Sequence, residues 1–312
     1  MKARILLMAS AIFSFTLIFT ACQKGSSSND NNTDYSSEAT VHTDDQSRFS
    51  SEVDAVANDA DISLESTSGF AGRGDQIQSL ICDATVVADT VSNPRTITIT
   101  YNGNNCLGTR TRTGVVVISM AQGVRWKNVG AALSVTFQNL KITRVADNKS
   151  ITINGTQTYT NVSGGLLINL PTLNTITHTI TSSNMSVTFD NGSQRTWQVA
   201  KQRVFSYNNG VVITTTGTHT EGAVTGVAEW GTNRLGHTFT SAITVPLVIR
   251  QDCNFRITSG QVTHTTPLFN AVATLGLDAS GNPTSCPGTG SYYLKLVWTG
   301  PAGIPHTIIF PY

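Results

Sequence analysis

Ile151-Thr-Ile-Asn-Gly155-Thr-Gln-Thr158-Tyr-Thr-Asn-Val162-Ser-Gly164 decides the fold. Its first half sets Ile against Thr and Asn at every second position, the period of a strand with one buried face. Its β-branched residues suit a pleated surface. The phrase also returns: Ile213-Thr-Thr-Thr-Gly217-Thr-His-Thr220-Glu-Gly-Ala-Val224-Thr-Gly226 aligns with it, sharing its first Ile-Thr, both glycines and the Val. A shorter phrase precedes each copy, Ser134-Val-Thr-Phe-Gln-Asn139 before the first and Ser186-Val-Thr-Phe-Asp-Asn191 before the second. We read this as an internal duplication covering about 131–165 and 183–227. The shared glycines mark places where strands approach closely or bulge.

Outward from this phrase the chain continues in the same style. Strands are expected at Thr96–Tyr101, Gly114–Met120, Leu133–Phe137, Ser150–Val162, Thr175–Ser182, Met185–Phe189, Trp197–Tyr207 and Val211–Thr220. Further strands are expected at Thr238–Ile249, Phe255–Thr265, Ala271–Leu277, Tyr292–Trp298 and Thr307–Phe310. Turn signals separate many of them, among them Asn102-Gly103, Asn191-Gly192 and Gly281-Asn282. No long helical pattern interrupts the series, so βαβ units are not expected. The fold class is all-β: a long, mostly antiparallel meander, as an open sheet, a sandwich or a half-barrel. Residues 67–312 form its single domain.

One helix is expected before the strands. Asp44-Asp45-Gln46-Ser47 offers a cap, and Phe49, Val53, Val56 and Ala60 recur at spacings of three and four. We assign 44–66 to a short helix and leader. Residues 22–43, poor in apolar and aromatic side chains, read as a disordered acidic tether.

The first 21 residues read as a signal peptide: Lys2 and Arg4, then an apolar run from Ile5 to Phe19 too short for a transmembrane helix. The junction Phe19-Thr20-Ala21-Cys22 resembles the lipobox of bacterial lipoproteins. That resemblance implies lipidation of Cys22 and membrane anchoring by the lipid. Gln23 is not the Asp that retains some lipoproteins at the inner membrane, so the outer membrane is the expected address. The overall layout resembles the uncharacterised Thr/Gly-rich surface lipoproteins of the Bacteroidota type, with a lipobox, an acidic leader with a helix, and a cysteine-bearing strand pair at each end. The resemblance carries no activity with it.

Charge is unevenly spread. From Cys22 to Ser66 there are ten acidic residues against Lys24 and Arg48, while the rest has nine acidic against sixteen basic. The plain reading is an ordinary solvated surface, with anionic glycans as an alternative use of the basic body. No basic run or aromatic–basic interleaving points to nucleic acid. The oligomeric state stays open.

Besides Cys22 there are Cys82, Cys106, Cys253 and Cys286, an even set expected to form disulfides in an exported chain. The pairing expected is Cys82–Cys106 and Cys253–Cys286, because Cys106-Leu-Gly-Thr109 echoes Cys286-Pro-Gly-Thr289. Three histidines sit in Thr-His-Thr phrases: His178, His219 and His264. They would make a metal site only if their strands converged, so no metal and no cofactor is assigned. Glu221 and Glu229 are the one candidate carboxylate pair for glycoside hydrolysis. Among the tryptophans, Trp126 and Trp230 have the polar neighbours that sugar stacking would use. Asp89-Thr90-Val91 matches an O-glycosylation acceptor pattern, with a plain strand residue as the competing reading. The functional expectation is a non-enzymatic envelope or surface lipoprotein, a scaffold, adhesin-like or glycan-binding module. The alternative is a polysaccharide-directed hydrolase.

Overall fold

A computed structural model describes residues 35–67, 70, 81–182, 184–286 and 290–312. The signal peptide, Cys22 and the Gly288-Thr289 half of the cysteine echo lie outside the described residues. The sheet begins with β1 (Ala84–Asp89), β2 (Arg95–Asn104), β3 (Arg110–Met120), β4 (Ala131–Arg144), β5 (Ser150–Asn161), β6 (Thr175–Ser182), β7 (Ser186–Phe189) and β8 (Gln194–Tyr207). It continues with β9 (Val211–Gly217), β10 (His219–Glu221), β11 (Val224–Thr232), β12 (Thr238–Arg250), β13 (Arg256–Thr265), β14 (Asn270–Leu277), β15 (Tyr293–Thr299) and β16 (Pro305–Pro311).

All pair antiparallel in one meandering sheet, whose path runs from β1 to β16, and among the described residues those two end strands do not pair with each other. Two strands were not legible in advance. β1 is short, and β11 is interrupted by Gly226 and Gly231, which dilute its alternation.

Alternation decides which face is inner. Ile97, Ile99 and Tyr101 of β2, Val116 and Ile118 of β3, and Leu133, Val135 and Phe137 of β4 are all buried, while the residues between them are half-buried or exposed. What buries them is the helix α1 (Ser36–Ser66). At ~1.5 Å per residue its 31 residues span about 46 Å. Its apolar side, Phe49, Val53, Val56, Ala57, Ala60 and Leu64, joins the inner residues of β2–β5, β7 and β8 in the main core. Farther toward its start, Ala39 joins a second core with Val262, Phe269, Ala271, Leu296 and Trp298.

The helix is longer than its sequence suggested, and residues 36–43 are helical instead of tether. The segment Ser36–Thr43 has no apolar period and Tyr35 provides no side-chain cap. Tertiary contacts supply what propensity lacks: Glu38 accepts hydrogen bonds from Asn233 Nδ2 and the His237 ring, and His42 packs against Phe239.

Both disulfides form as paired from the sequence, with Cα separations of 5.3 Å for Cys82–Cys106 and 5.1 Å for Cys253–Cys286. In the chain-entropy model, loops of 24 and 33 residues stabilise by about 3–4 kcal/mol each.

The glycine shared by the two phrases lies at a close approach in both, although β4 pairs directly with β5 while β8 separates β7 from β9. Gly155 has φ +120°, and a Cβ there would stand 2.5 Å from the Asn184 carbonyl oxygen. Gly217 packs directly on the backbone of Gly226. Beyond these glycines the two copies diverge. β5 runs on through the sheet, burying Gln157, Tyr159 and Asn161. β9 stops at Gly217, and the chain turns out into the hairpin β10–β11, with Gly222 (φ +58°) at its tip. β11 then returns to the sheet between β8 and β12, alongside the end of β9.

Candidate functional site

The uneven charge of the sequence is spent inside the molecule. Acids of α1 meet bases of the sheet on both flanks. On one flank Glu52 pairs with Arg110, Asp59 with Arg112 at 2.8 Å, and Asp44 with Arg144 at 2.8 Å. On the other, Asp45 pairs with Arg234 at 2.6 Å and Asn58 accepts from Arg203 at 2.7 Å. A solvated basic surface is thus the wrong picture of these residues, because the bases line the groove that holds an acidic helix.

The densest polar node lies at the middle of this seam. Glu229 of β11 is fully buried and accepts hydrogen bonds from Gln46 Nε2 (3.1 Å), Ser50 Oγ (2.8 Å) and Trp197 Nε1 (2.9 Å). Lys201 Nζ lies 2.7 Å from Glu229, 3.8 Å from Asp54 and 2.7 Å from Ser50 Oγ. Burial alone would lower the Lys201 pKa. Asp54 and Glu229 outweigh it and hold the ammonium above the usual lysine value. Such an enclosed pair is a structural lock: losing either member strands the other charge in a dry interior.

Three histidines are buried between α1 and the sheet: His42, His178 and His264. His264 accepts or donates through Nδ1 to Ser241 Oγ at 2.8 Å, and its ring stands edge-on to His42 with centroids 5.3 Å apart. Burial pushes the His264 pKa down to about 4, and burial together with His264 lowers that of His42. His178 lies on β6, between Trp126 and Phe205, with Nδ1 3.7 Å from Asp61. Burial, then Arg203, pushes it down to about 3, while burial raises Asp61 to about 7.

The three histidines singled out by their shared phrase are not brought together. His178 and His264 are inner and belong to separate clusters, and His219 is on the outer hairpin. Among the described residues, the one cluster of three metal-type donors joins Asp252 to the Cys253–Cys286 bridge. Its sulfurs are tied up in the disulfide and are not thiolate ligands.

The carboxylate pair separates too. Glu229 is inside, whereas Glu221 is exposed and bonded to the His219 ring. They do not flank a common space. Trp126 is also corrected: it is fully buried, so its ring is core and offers no platform to a sugar. Thr90 is exposed beside a turn in which Asp89 Oδ1 accepts from the N–H groups of Val91 and Ser92.

Trp230 is different. It comes directly after Glu229 on β11 and so points to the other face of the sheet, where it is half-exposed. Gln198 and Thr240 stand directly beside it on the neighbouring strands. The His219 ring lies flat on the indole, with centroids 4.1 Å apart and 18° between planes. Its Nε2 donates to Glu221 Oε2 at 3.0 Å. Sequence reasoning named each of these three residues separately, but strand periodicity could not show that the hairpin folds them into one patch.

Elsewhere, Val245, Thr258, Gln261, Thr274 and Leu275 among others line a neutral cavity of about 340 Å³. None of its lining residues titrates.

No protein-family model matches this chain, and no curated protein or solved structure is significantly similar to it.

Proposed function

We propose that this chain is an exported lipoprotein, anchored through Cys22 to the outer membrane, whose β body is a non-enzymatic glycan-binding module of the cell envelope. One observation carries the binding half of this reading: α1 covers much of the inner face of the sheet, and the outer face carries the half-exposed Trp230 among polar neighbours. Charged groups of the groove are paired with the helix, so they are committed to holding the body together. An aromatic ring flanked by an amide, a hydroxyl and a carboxylate has what a sugar needs: an apolar platform for C–H groups and polar partners for hydroxyls. The separation of Glu221 from Glu229 supports binding over hydrolysis, which requires two carboxyl groups about the same bond. The anchoring half rests on the n-region, the apolar run and the Thr20-Ala21-Cys22 junction.

Co-sedimentation of the mature protein with insoluble envelope polysaccharide tests the binding reading. Wild type is expected in the pellet and Trp230→Ala in the supernatant. Equal pelleting of both would overturn the assignment to this face. Separately, Cys22→Ala should move the protein from the detergent phase to the aqueous phase. Unchanged partitioning would remove the lipid.

A further inference from the structure

We infer that His219 is a built-in occupant of an amino-sugar site, seated where the ammonium-bearing ring of the ligand would lie. This rests on the reading of the Trp230 face as glycan-binding, and it names the class of glycan. The first observation is geometric. A flat ring lies on the indole at 4.1 Å, and its N–H is directed at a carboxylate. An N–H donor over an aromatic face with an acid beyond it is the arrangement that recognises an organic cation, because the ring face is electron-rich and the carboxylate supplies the countercharge. The imidazole therefore stands in for a cationic, flat-faced ligand.

The second observation is how the stack is built. At the matching positions of the first copy, Gln157 and Tyr159 are buried within β5. In the second copy these positions are His219 and Glu221, and they leave the sheet on a hairpin. That departure needs Gly217 against Gly226 and a glycine at the tip, Gly222. The hairpin contributes nothing to the three apolar cores except through its return strand. Its side chains are instead placed over Trp230.

The third observation concerns hydrogen bonding. Gln198 Oε1, beside Trp230, is buried and has no hydrogen-bond partner among the described residues. With the imidazole displaced, a sugar hydroxyl in its place would be a donor for it. Together with the Thr240 neighbour, this favours a saccharide carrying an amine over a simple ammonium.

The site has an internal competitor, which gives it a distinctive signature: removing His219 should improve binding, while removing Glu221 should weaken it. The test is titration of the full mature protein in detergent micelles with glucosamine hexamer and, separately, N-acetylglucosamine hexamer, read by calorimetry. Wild type should bind the glucosamine hexamer. His219→Ala should bind it roughly tenfold tighter, and Glu221→Gln roughly tenfold more weakly, the scale of one cation–aromatic or charge contact. Circular dichroism of both variants, which change hairpin residues outside the three apolar cores, should match wild type. If His219→Ala binds no tighter, or the acetylated hexamer binds as well as the free amine, the inference is overturned. In the latter case, loss of binding in Trp230→Ala would leave the broader glycan reading standing. Absence of binding by either hexamer to wild type and to His219→Ala would overturn the inference, whereas the fate of the broader reading is decided by polysaccharide co-sedimentation.

Discussion

β5 and the β9–β11 segment begin with the same phrase and end in different places. After Gly155 the first copy stays in the sheet and lays Gln157, Tyr159 and Asn161 against the helix. After Gly217 the second copy turns away, and the next eight or so residues make an outer hairpin before Val227 resumes the lane. The inner position thereby vacated is filled by Glu229, the carboxylate at the centre of the buried node. A duplicated strand phrase thus keeps its glycine and its first few side chains, while the residues beyond the glycine are free to change face. The strand into which the second copy runs, β11, carries a buried acid and a half-exposed aromatic at adjacent positions, because successive side chains of a strand point to opposite faces.

The largest test of this contrast is Glu229→Ala. It removes the acceptor of three donors and the partner of Lys201, so unfolding free energy should drop by about 3–5 kcal/mol. Denaturant unfolding measures it. A loss under about 1 kcal/mol would mean that Asp54 alone satisfies Lys201 and that the second lane is not organised around Glu229.

The glycines come next. Gly155→Ala and Gly217→Ala should each cost about 1–3 kcal/mol, since each Cβ would run into backbone that a bulge has brought close. If only one of the two is costly, the glycine is not the shared element of the two copies.

Acid compares the lanes through their neighbours: His178 pairs in register with Asn161 of the first, and His264 bonds Ser241 beside Glu229 of the second. Both imidazoles titrate below their unfolded value of about 6.5. Their contribution to stability is present above about pH 6.5 and is lost as pH falls toward 4 and 3. His42 has the same sign. Asp61, raised to about 7, runs the other way: its contribution is complete below its unfolded value and is lost as pH rises through 7. Asp45 and Asp59, also raised by burial, run the same way as Asp61, so the histidine share is read from a variant and not from the net curve. Between pH 7 and pH 4.5 the Tm of His264→Gln should fall less steeply than that of wild type. An unchanged slope in that variant would remove the second lane from the acid response.

The smallest effect is expected outside. His219→Ala should change stability by no more than about 0.5 kcal/mol, as for surface substitutions away from the core. A loss above about 1.5 kcal/mol would show that the hairpin supports the lane instead of standing apart from it.

Much of this was legible residue by residue. Period-two alternation marks most strands, because one face of each is buried and the other wet. The echo between Cys106 and Cys286 led to both disulfides. The heptad-like run from Phe49 to Ala60 found the helix but not its first two turns, whose order comes from Glu38, Ala39 and His42 contacting the sheet. The count of acids against bases was also plain in the sequence, yet its meaning was not. Charges separated by a hundred residues or more, such as Asp45 and Arg234 or Asp54 and Lys201, pair only after the sheet has curled around the helix.

By itself, then, the amino-acid order determined everything that depends on near neighbours: strand and helix type, turns, the glycines at close approaches and the even set of cysteines. Only the tertiary structure decided which side each charge and each tryptophan faces. Trp126 went to the core and Trp230 to the outside, although both have polar neighbours in sequence. Trp126 is placed by the β3–β4 loop packing into the core; for Trp230 the physical reason is the geometry of the strand: one bulge or one ejected hairpin reverses inside and outside for every later residue of that strand, and that choice is made by packing across the whole sheet.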